Sequence, residues 1–298
     1  MKRQTYFLLS VLIVGLGASI LLARGIDARR PPADPNAIDE SLYLNPNTAR
    51  RMSLGFNGLI ADWYWMRSLQ YVGKKIINVD QNVPIDSLAD LNLKLLAPLL
   101  DTATTLDPHF MDPYEYAAVV LPGIDVQQAI RITQKGIDAN PSAWKLYHHL
   151  GYIYWQQKDF QAASDIYRRG SQIEGAPGWM TAMTAKMAAD GGSRATAREI
   201  YKHMHDQSAD EKVKDMARRR LVQLESLDQR DFLARFLNAY QARVGQCPAN
   251  WSEVLPLLRG LRVPLDASGA PVDPSMAPYQ LVPGKCEVVL DQKSEVLR

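Results

Sequence analysis

Apolar residues recur at intervals of three and four along most of this chain, the spacing of a helix with one buried face. Leu54, Gly58, Ala61, Trp65, Leu69 and Val72 make one such series, with Trp63, Tyr64 and Tyr71 on adjoining faces. Leu88, Leu91, Leu95, Leu99 and Leu100 make a second, and the stretch from Gly73 to Pro84 between them reads as a long loop. Farther on, Val213, Met216, Ala217, Leu221 and Leu224, then Phe232, Leu233, Phe236, Leu237 and Tyr240, predict two more helices within Glu211 to Ala242. Beyond that point Pro, Gly and Val become frequent. Runs at Tyr279 to Val282 and Cys286 to Leu290 flank Pro283–Gly284, which predicts two short strands and a turn. Tyr6 to Ala23 follows neither pattern, being apolar on every side and uncharged.

The middle of the chain repeats itself at a step of 34 residues. Ala129, Ala163 and Ala197 stand in register, as do Ala117, Gly151 and Ala185, and Thr133, Tyr167 and Tyr201. Small residues in two columns let antiparallel helices approach closely, and the third column wedges a larger side chain against the next pair. The clearest unit reads Tyr147, Leu150, Gly151, Tyr154, a turn at Lys158–Asp159, then Phe160, Ala163, Tyr167 and Gly170. The unit before it carries Pro113 and Pro122 in or beside its first helix, which should be short or bent. The unit after it keeps Ala185, the Gly191–Gly192 turn, Ala197 and Tyr201, and Pro177 arrives late behind Gly175–Ala176.

Period and pattern together resemble the tetratricopeptide (TPR) repeat, a helix-turn-helix unit that stacks into a solenoid. The resemblance implies a mainly α fold whose first helices line a concave groove for protein partners. By that resemblance the groove residues are Lys145, His148, Tyr152, Trp155 and Gln156 from the middle repeat and Trp179 and Lys186 from the next. Large aromatic side chains beside Lys are suited to anchoring an interface. The alternative is that Tyr152 or Trp155 packs on a neighbouring helix. The two helices after Ala49 look like a further N-terminal repeat, and those within 211–242 would cover the far end of the solenoid.

The N-terminal run bears on location. Residues 6–23 would cover roughly 27 Å as a helix, enough for a thin hydrocarbon core. Lys2 and Arg3 precede the run and Arg24 follows it. It reads as an uncleaved single-pass anchor, since Leu21–Leu22–Ala23 lacks a small-x-small cleavage site; a removed signal peptide is the alternative. Charges on the two sides nearly balance and leave orientation open. The two cysteines, Cys247 and Cys286, both fall in the C-terminal part, which fits one disulfide in an oxidising space; two buried thiols are the alternative. The expected organisation is an anchor over 1–23, an extended Pro- and Asp-rich tether over 24–48, a helical solenoid over 49–242 and a small α+β lobe over 243–298.

Within that lobe the order is a helix ending in Tyr240, then Gly245, Pro248, a short helix from Trp251 to Leu258, Gly260, and Pro264, Asp266, Gly269 and Pro271. This resembles the C-terminal region of type II secretion pseudopilins, with its Pro-x-Asp-Pro-x-Gly-x-Pro-Tyr turn. Ala267 and Val272 depart from that pattern at its second proline and its tyrosine. By the resemblance, Asp266, Ser268 and Asp273 are candidates for a calcium loop; a turn without metal is the alternative.

With 22% charged residues and a formal charge of +2, the composition offers no basic stripe for nucleic acid. The Arg218–Arg219–Arg220 cluster reads as a solvated helix face. Trp63–Tyr64–Trp65 reads as core packing or as an aromatic belt at a bilayer interface, and Asp62 beside them as a structural hydrogen-bond acceptor. Phosphate-binding loops, zinc-protease and serine-hydrolase motifs and paired CxxC motifs are all missing, so no catalysis, cofactor or metal is expected. His109, His148, His149, His203 and His205 lack ligand spacing. The sequence therefore predicts a scaffold of the bacterial inner membrane with its body in the periplasm. It would bind membrane or envelope proteins, with residues 6–23 in the bilayer. Alternatives are an accessory of a pilus or secretion machine and a non-catalytic subunit of a membrane enzyme complex.

Overall fold

The structure, a computed structural model, describes residues 14–26, 43–77, 88–261 and 263–298. Helices follow one another as α1 (14–26), α2 (Pro46–Met52), α3 (Asn57–Ile77), α4 (Leu96–Leu106), α5 (Met111–Val120), α6 (Val126–Ala139), α7 (Trp144–Gln156), α8 (Phe160–Ser171), α9 (Trp179–Asp190), α10 (Arg194–Gln207), α11 (Glu211–Val244) and α12 (Leu255–Gly260). Strands β1 (Tyr279–Leu281) and β2 (Val288–Leu290) pair antiparallel. The chain divides into two compact units, 1–113 and 114–298.

In the first unit α3 packs on α4, with α2 also against α4. Ala61, Tyr64, Ser68, Tyr71 and Val72 of α3 are buried, as are Leu96, Leu99, Leu100 and Ala103 of α4. The helix α2 starts at Pro46, ahead of Ala49, because the Asn45 side chain accepts the Asn47 N–H at 3.0 Å and proline fits a first turn. Three expectations need correction. The loop does not begin at Gly73, because α3 continues through it to Ile77. Leu88–Leu91 is a short 3-10 turn, and the second helix starts only at Leu96. Asp62 is exposed, on the solvent side of α3, and is not a buried acceptor. The expected anchor and tether fall largely on residues 1–13 and 27–42, and most of the loop on 78–87, all outside the described residues. Among the described residues no helix is long and apolar enough to cross a membrane.

The second unit contains the helical pairs at the 34-residue step. The second helices of successive pairs start at Val126, Phe160 and Arg194, two of them capped by Asp125 and Asp159, whose carboxylates accept the N–H of Gln128 and Ala162. Ala117, Ala129, Ala163, Ala185 and Ala197 are fully buried, and so are Thr133 and Tyr167. A Cβ on Gly151 would lie 2.7 Å from the Tyr167 ring, and one on Gly136 would lie 2.8 Å from Tyr114. The registered columns are thus the contacts that close each hairpin. Pro113 occupies the first turn of α5, where its missing N–H costs nothing, and Pro122 ends that helix after ten residues in a 3-10 turn.

Glu211 to Val244 is one helix of 34 residues, not two. The reason lies in its phase. Ala217 and Leu224 pack on Ala185, Ala197, Tyr201 and Met204. Leu233 and Leu237 pack on Val254, Leu258, Tyr279 and Val288. Leu224 and Leu233 are nine residues apart, two and a half turns, so the apolar stripe changes sides midway. The first half of α11 covers the end of the helical array and the second half carries the C-terminal lobe. Arg194 binds Asp228 and Asp231 at 3.0 and 2.5 Å, tying the start of α10 to the middle of α11.

Cys247 and Cys286 form a disulfide with Cα atoms 5.3 Å apart. The lobe hangs on Tyr279, fully buried, whose hydroxyl meets Ser226 Oγ at 2.9 Å while its carbonyl accepts the Trp251 indole N–H at 2.8 Å. Two like turns precede β1. Asp266 accepts from the N–H and hydroxyl of Ser268 and the N–H of Ala270; Asp273 accepts from the N–H and hydroxyl of Ser275 and the N–H of Ala277. Their fourth residues, Gly269 and Met276, have φ of +89° and +69°.

Candidate functional site

The expected groove residues can be placed one by one. On α7 the residues Trp144, His148, Tyr152 and Trp155 follow at four, four and three, which puts them on one side of the helix. The first helix of the next pair, α9, brings Trp179 and Lys186 alongside. Trp144 and Trp179 meet edge to face with centroids 6.1 Å apart, and His148 stands 4.9 Å from Trp179. Tyr152 lies 6.5 Å from His148 and 5.6 Å from Trp155. The Lys186 ammonium sits 5.0 Å over the Trp155 ring and binds Asp190 at 2.5 Å. These six side chains make one continuous face.

Five of the seven sequence-derived residues therefore come together: His148, Tyr152, Trp155, Trp179 and Lys186. Lys145 instead turns toward α5, where its ammonium is 4.0 Å from Glu115. Gln156, exposed at the end of α7, makes no ring contact of its own in this strip. Trp144 was not singled out from sequence, although its i, i+4, i+8 relation to His148 and Tyr152 carried the signal. Asp190, which holds Lys186 in place, was missed because only the pairing of side chains one turn apart reveals it.

The face is half-open. Tyr152 and Trp179 remain 42% and 43% accessible, so neither is a core residue, whereas Leu146, Leu150 and Ile153 on the opposite side of α7 are buried. His148 Nδ1 lies 3.2 Å from the hydroxyl of the buried Tyr167. Burial lowers the His148 pKa, and the neighbouring His149 adds to the shift. Burial likewise lowers His149, with Glu115 opposing and Lys145 reinforcing that change. Burial raises the Tyr167 hydroxyl, with Tyr152 contributing. At neutral pH the strip is thus an uncharged aromatic surface with one cation at its end, and that cation is already matched by Asp190. Such a surface offers ring faces and edges to apolar or prolyl side chains. It contains no nucleophile–base pair.

A second concavity of about 340 Å³ lies between the middle of α11 and the C-terminal lobe. Phe232, Leu233, Pro264, Pro271, Val272 and Tyr279 form its apolar wall, with Glu225, Asp228 and Gln229 at the rim. Asp266 and Asp273, candidates for a calcium loop, instead spend their carboxylates on their own turns, Asp273 accepting also from the Ser294 hydroxyl. Among the described residues no group of three possible metal ligands lies together. Arg218 and Arg219 both pair with Asp215 on an exposed helix face.

No family model matches the chain, and no curated protein matches it. Solved structures similar to it include a MamA protein, 22% identical with a TM-score of 0.32, covering 38% of this chain and 63% of its own. Another is YrrB, a TPR protein with an unusual peptide-binding site, 14% identical with a TM-score of 0.34, covering 50% of this chain and 76% of its own. The chain thus spans less than two thirds of the MamA structure. Its own hairpins, starting their second helices at Val126, Phe160 and Arg194 and closed by glycine and alanine against buried rings, make residues 114–207 a TPR-like helical repeat array.

Proposed function

We propose that this chain is a membrane-anchored scaffold of the bacterial periplasm that holds a protein partner of an envelope complex against the α7–α9 face. The observation that carries the reading is the continuous strip from Trp144 and Trp179 through His148 and Tyr152 to Trp155 under Lys186, open to solvent on the first helices of two consecutive pairs. Rigid aromatic anchors offer large contact area at little entropic cost. The Cys247–Cys286 disulfide supports an oxidising compartment, and the apolar run 6–23 supports an anchor.

The test is the double change Trp155→Ala with Lys186→Glu in the full chain, purified with its partners in mild detergent. Loss of an anchor residue worth about 2 kcal/mol weakens capture roughly thirtyfold. Helical content and melting temperature should stay near those of the parent. Undiminished capture with an intact fold would place the interface elsewhere.

A second reading, an accessory of a pilus or secretion machine, draws on one specific observation. The turn pattern Pro-x-Asp-Pro-x-Gly-x-Pro-Tyr fits better seven residues later, at Pro271, Asp273, Pro274, Pro278 and Tyr279. Met276 replaces its glycine and has φ of +69°, the backbone conformation a glycine would take there. A pseudopilin-like partner would then be the occupant to test first.

A further inference from the structure

We infer that the outer face of α3, together with the turn before it, lies on an anionic membrane surface. Met52, Leu54, Phe56, Leu59, Trp63 and Met66 are all exposed, Phe56 and Leu59 by 67% each. Phe56, Leu59, Trp63 and Met66 follow at three, four and three, so they form one stripe, opposite the buried Ala61, Tyr64, Ser68 and Tyr71. Six large apolar side chains exposed within fifteen residues are a patch, where scattered single ones would need no explanation. Leu54 adds strain to exposure: it has φ of +50° and is 86% accessible, an apolar side chain held at the tip of a turn with nothing to bury it.

Charge selects the occupant. Between residues 43 and 77 stand Arg50, Arg51, Arg67, Lys74 and Lys75 against the single carboxylate of Asp62. Arg67 lies 5.5 Å over the Trp63 ring, and one helical repeat of seven on, Lys74 shares its flank of the stripe; both border a small cleft with Tyr43 and Gln70. Asp62 takes the other flank. An apolar stripe containing Trp, Phe and Met, edged by Arg and Lys, is the arrangement of a helix lying in the plane of an anionic lipid surface. An acidic protein surface would meet the same cations, and the adducts below separate it from lipid. The apolar run 6–23 precedes the patch in sequence; on the anchored reading proposed above, which this part of the inference rests on, the stripe gives α3 a second, flat contact with the same bilayer. This inference does not depend on the α7–α9 face.

The full chain is reconstituted into vesicles of phosphatidylethanolamine with phosphatidylglycerol, with flotation confirming that it is membrane-bound. A benzophenone side chain replaces Leu59, or Gln161 of α8 as the control, and the adducts are identified by mass. Lipid adducts at position 59 and none at 161 are expected. Arg67→Glu with Lys74→Glu should lower the lipid yield about tenfold or more, since each cation near such a surface contributes about 1 kcal/mol. Brominated phosphatidylglycerol gives a second readout without an inserted residue, quenching the parent more than Trp63→Phe. Adducts to a second copy of the chain or to another protein, equal lipid yields at 59 and 161, or equal quenching of parent and Trp63→Phe would each overturn the inference.

Discussion

Gly151→Ala is the sharpest probe of the repeat packing. The new methyl carbon would lie 2.7, 2.8 and 3.1 Å from Cε2, Cδ2 and Cζ of Tyr167. Tyr167 is fully buried, and its hydroxyl is engaged with His148, so the ring has little room to retreat. Overpacking of this kind costs about 1–3 kcal/mol, while alanine recovers up to about 1 kcal/mol of helix propensity. With the full propensity gain the net is a destabilisation of up to about 2 kcal/mol, or a fall of up to about 4–8 °C in the melting temperature of a unit this size. Gly73→Ala in α3 is the matched control, because nothing lies within 4 Å of its added carbon. There the propensity gain stands alone, and the first unit should gain about 0.5–1 kcal/mol. Differential scanning calorimetry of the full chain in mild detergent reads both. A Gly151→Ala that stabilises as much as Gly73→Ala would refute the argument that Gly151, where Ala117 and Ala185 stand in the neighbouring repeats, is glycine in order to seat the Tyr167 ring.

Three further outcomes follow from the C-terminal lobe. Alkylation without reductant should add no label to the intact mass, and removing the Cys247–Cys286 bond should cost about 4 kcal/mol for a loop spanning 39 residues, read as a lowered denaturation midpoint. Met276→Gly should stabilise the lobe by up to about 1 kcal/mol, since the residue has positive φ and is mostly exposed, whereas Gly269→Ala should destabilise it, with Leu255 only 2.9 Å from the added carbon. The hydroxyl of Ser268 and the N–H of Ala270 hold the Asp266 carboxyl below the usual carboxylate range. Its folded pKa is depressed, so its contribution is present above the ordinary value and is lost as pH falls through the folded one; Asp266→Asn should flatten the acid limb of the stability–pH curve.

Much of the solenoid is legible in the sequence because its packing is local. Ala163 and Tyr167 meet partners within the same hairpin or the next, so their spacing alone exposes the 34-residue step. The strands flanking Pro283–Gly284 and the pairing of the two cysteines were legible for a similar reason, each being confined to one small lobe. The long helix was not. Its apolar stripe changes sides between Leu224 and Leu233 because two neighbours, the helix pairs and the lobe, claim opposite faces, and a window-by-window reading takes a phase shift for a break. The candidate face was half legible. Tyr152 and Trp155 follow from repeat position, but Lys186 over Trp155 and the meeting of Trp144 with Trp179 depend on how α7 and α9 lie side by side. The turn at Asp266 hid its twin at Asp273, since methionine in a glycine position carries no turn signal in sequence.

The central claim is that the aromatic face of α7 and α9 receives a protein partner, and site-specific photo-crosslinking in living cells tests it most directly. A benzophenone side chain in place of Tyr152 should give a discrete protein adduct that disappears with Trp155→Ala and Lys186→Glu, while the same group at Gln161, exposed on the second helix of the pair, should give none. Adducts from position 161 with none from 152, or a Tyr152 adduct indifferent to the double change, would contradict the account.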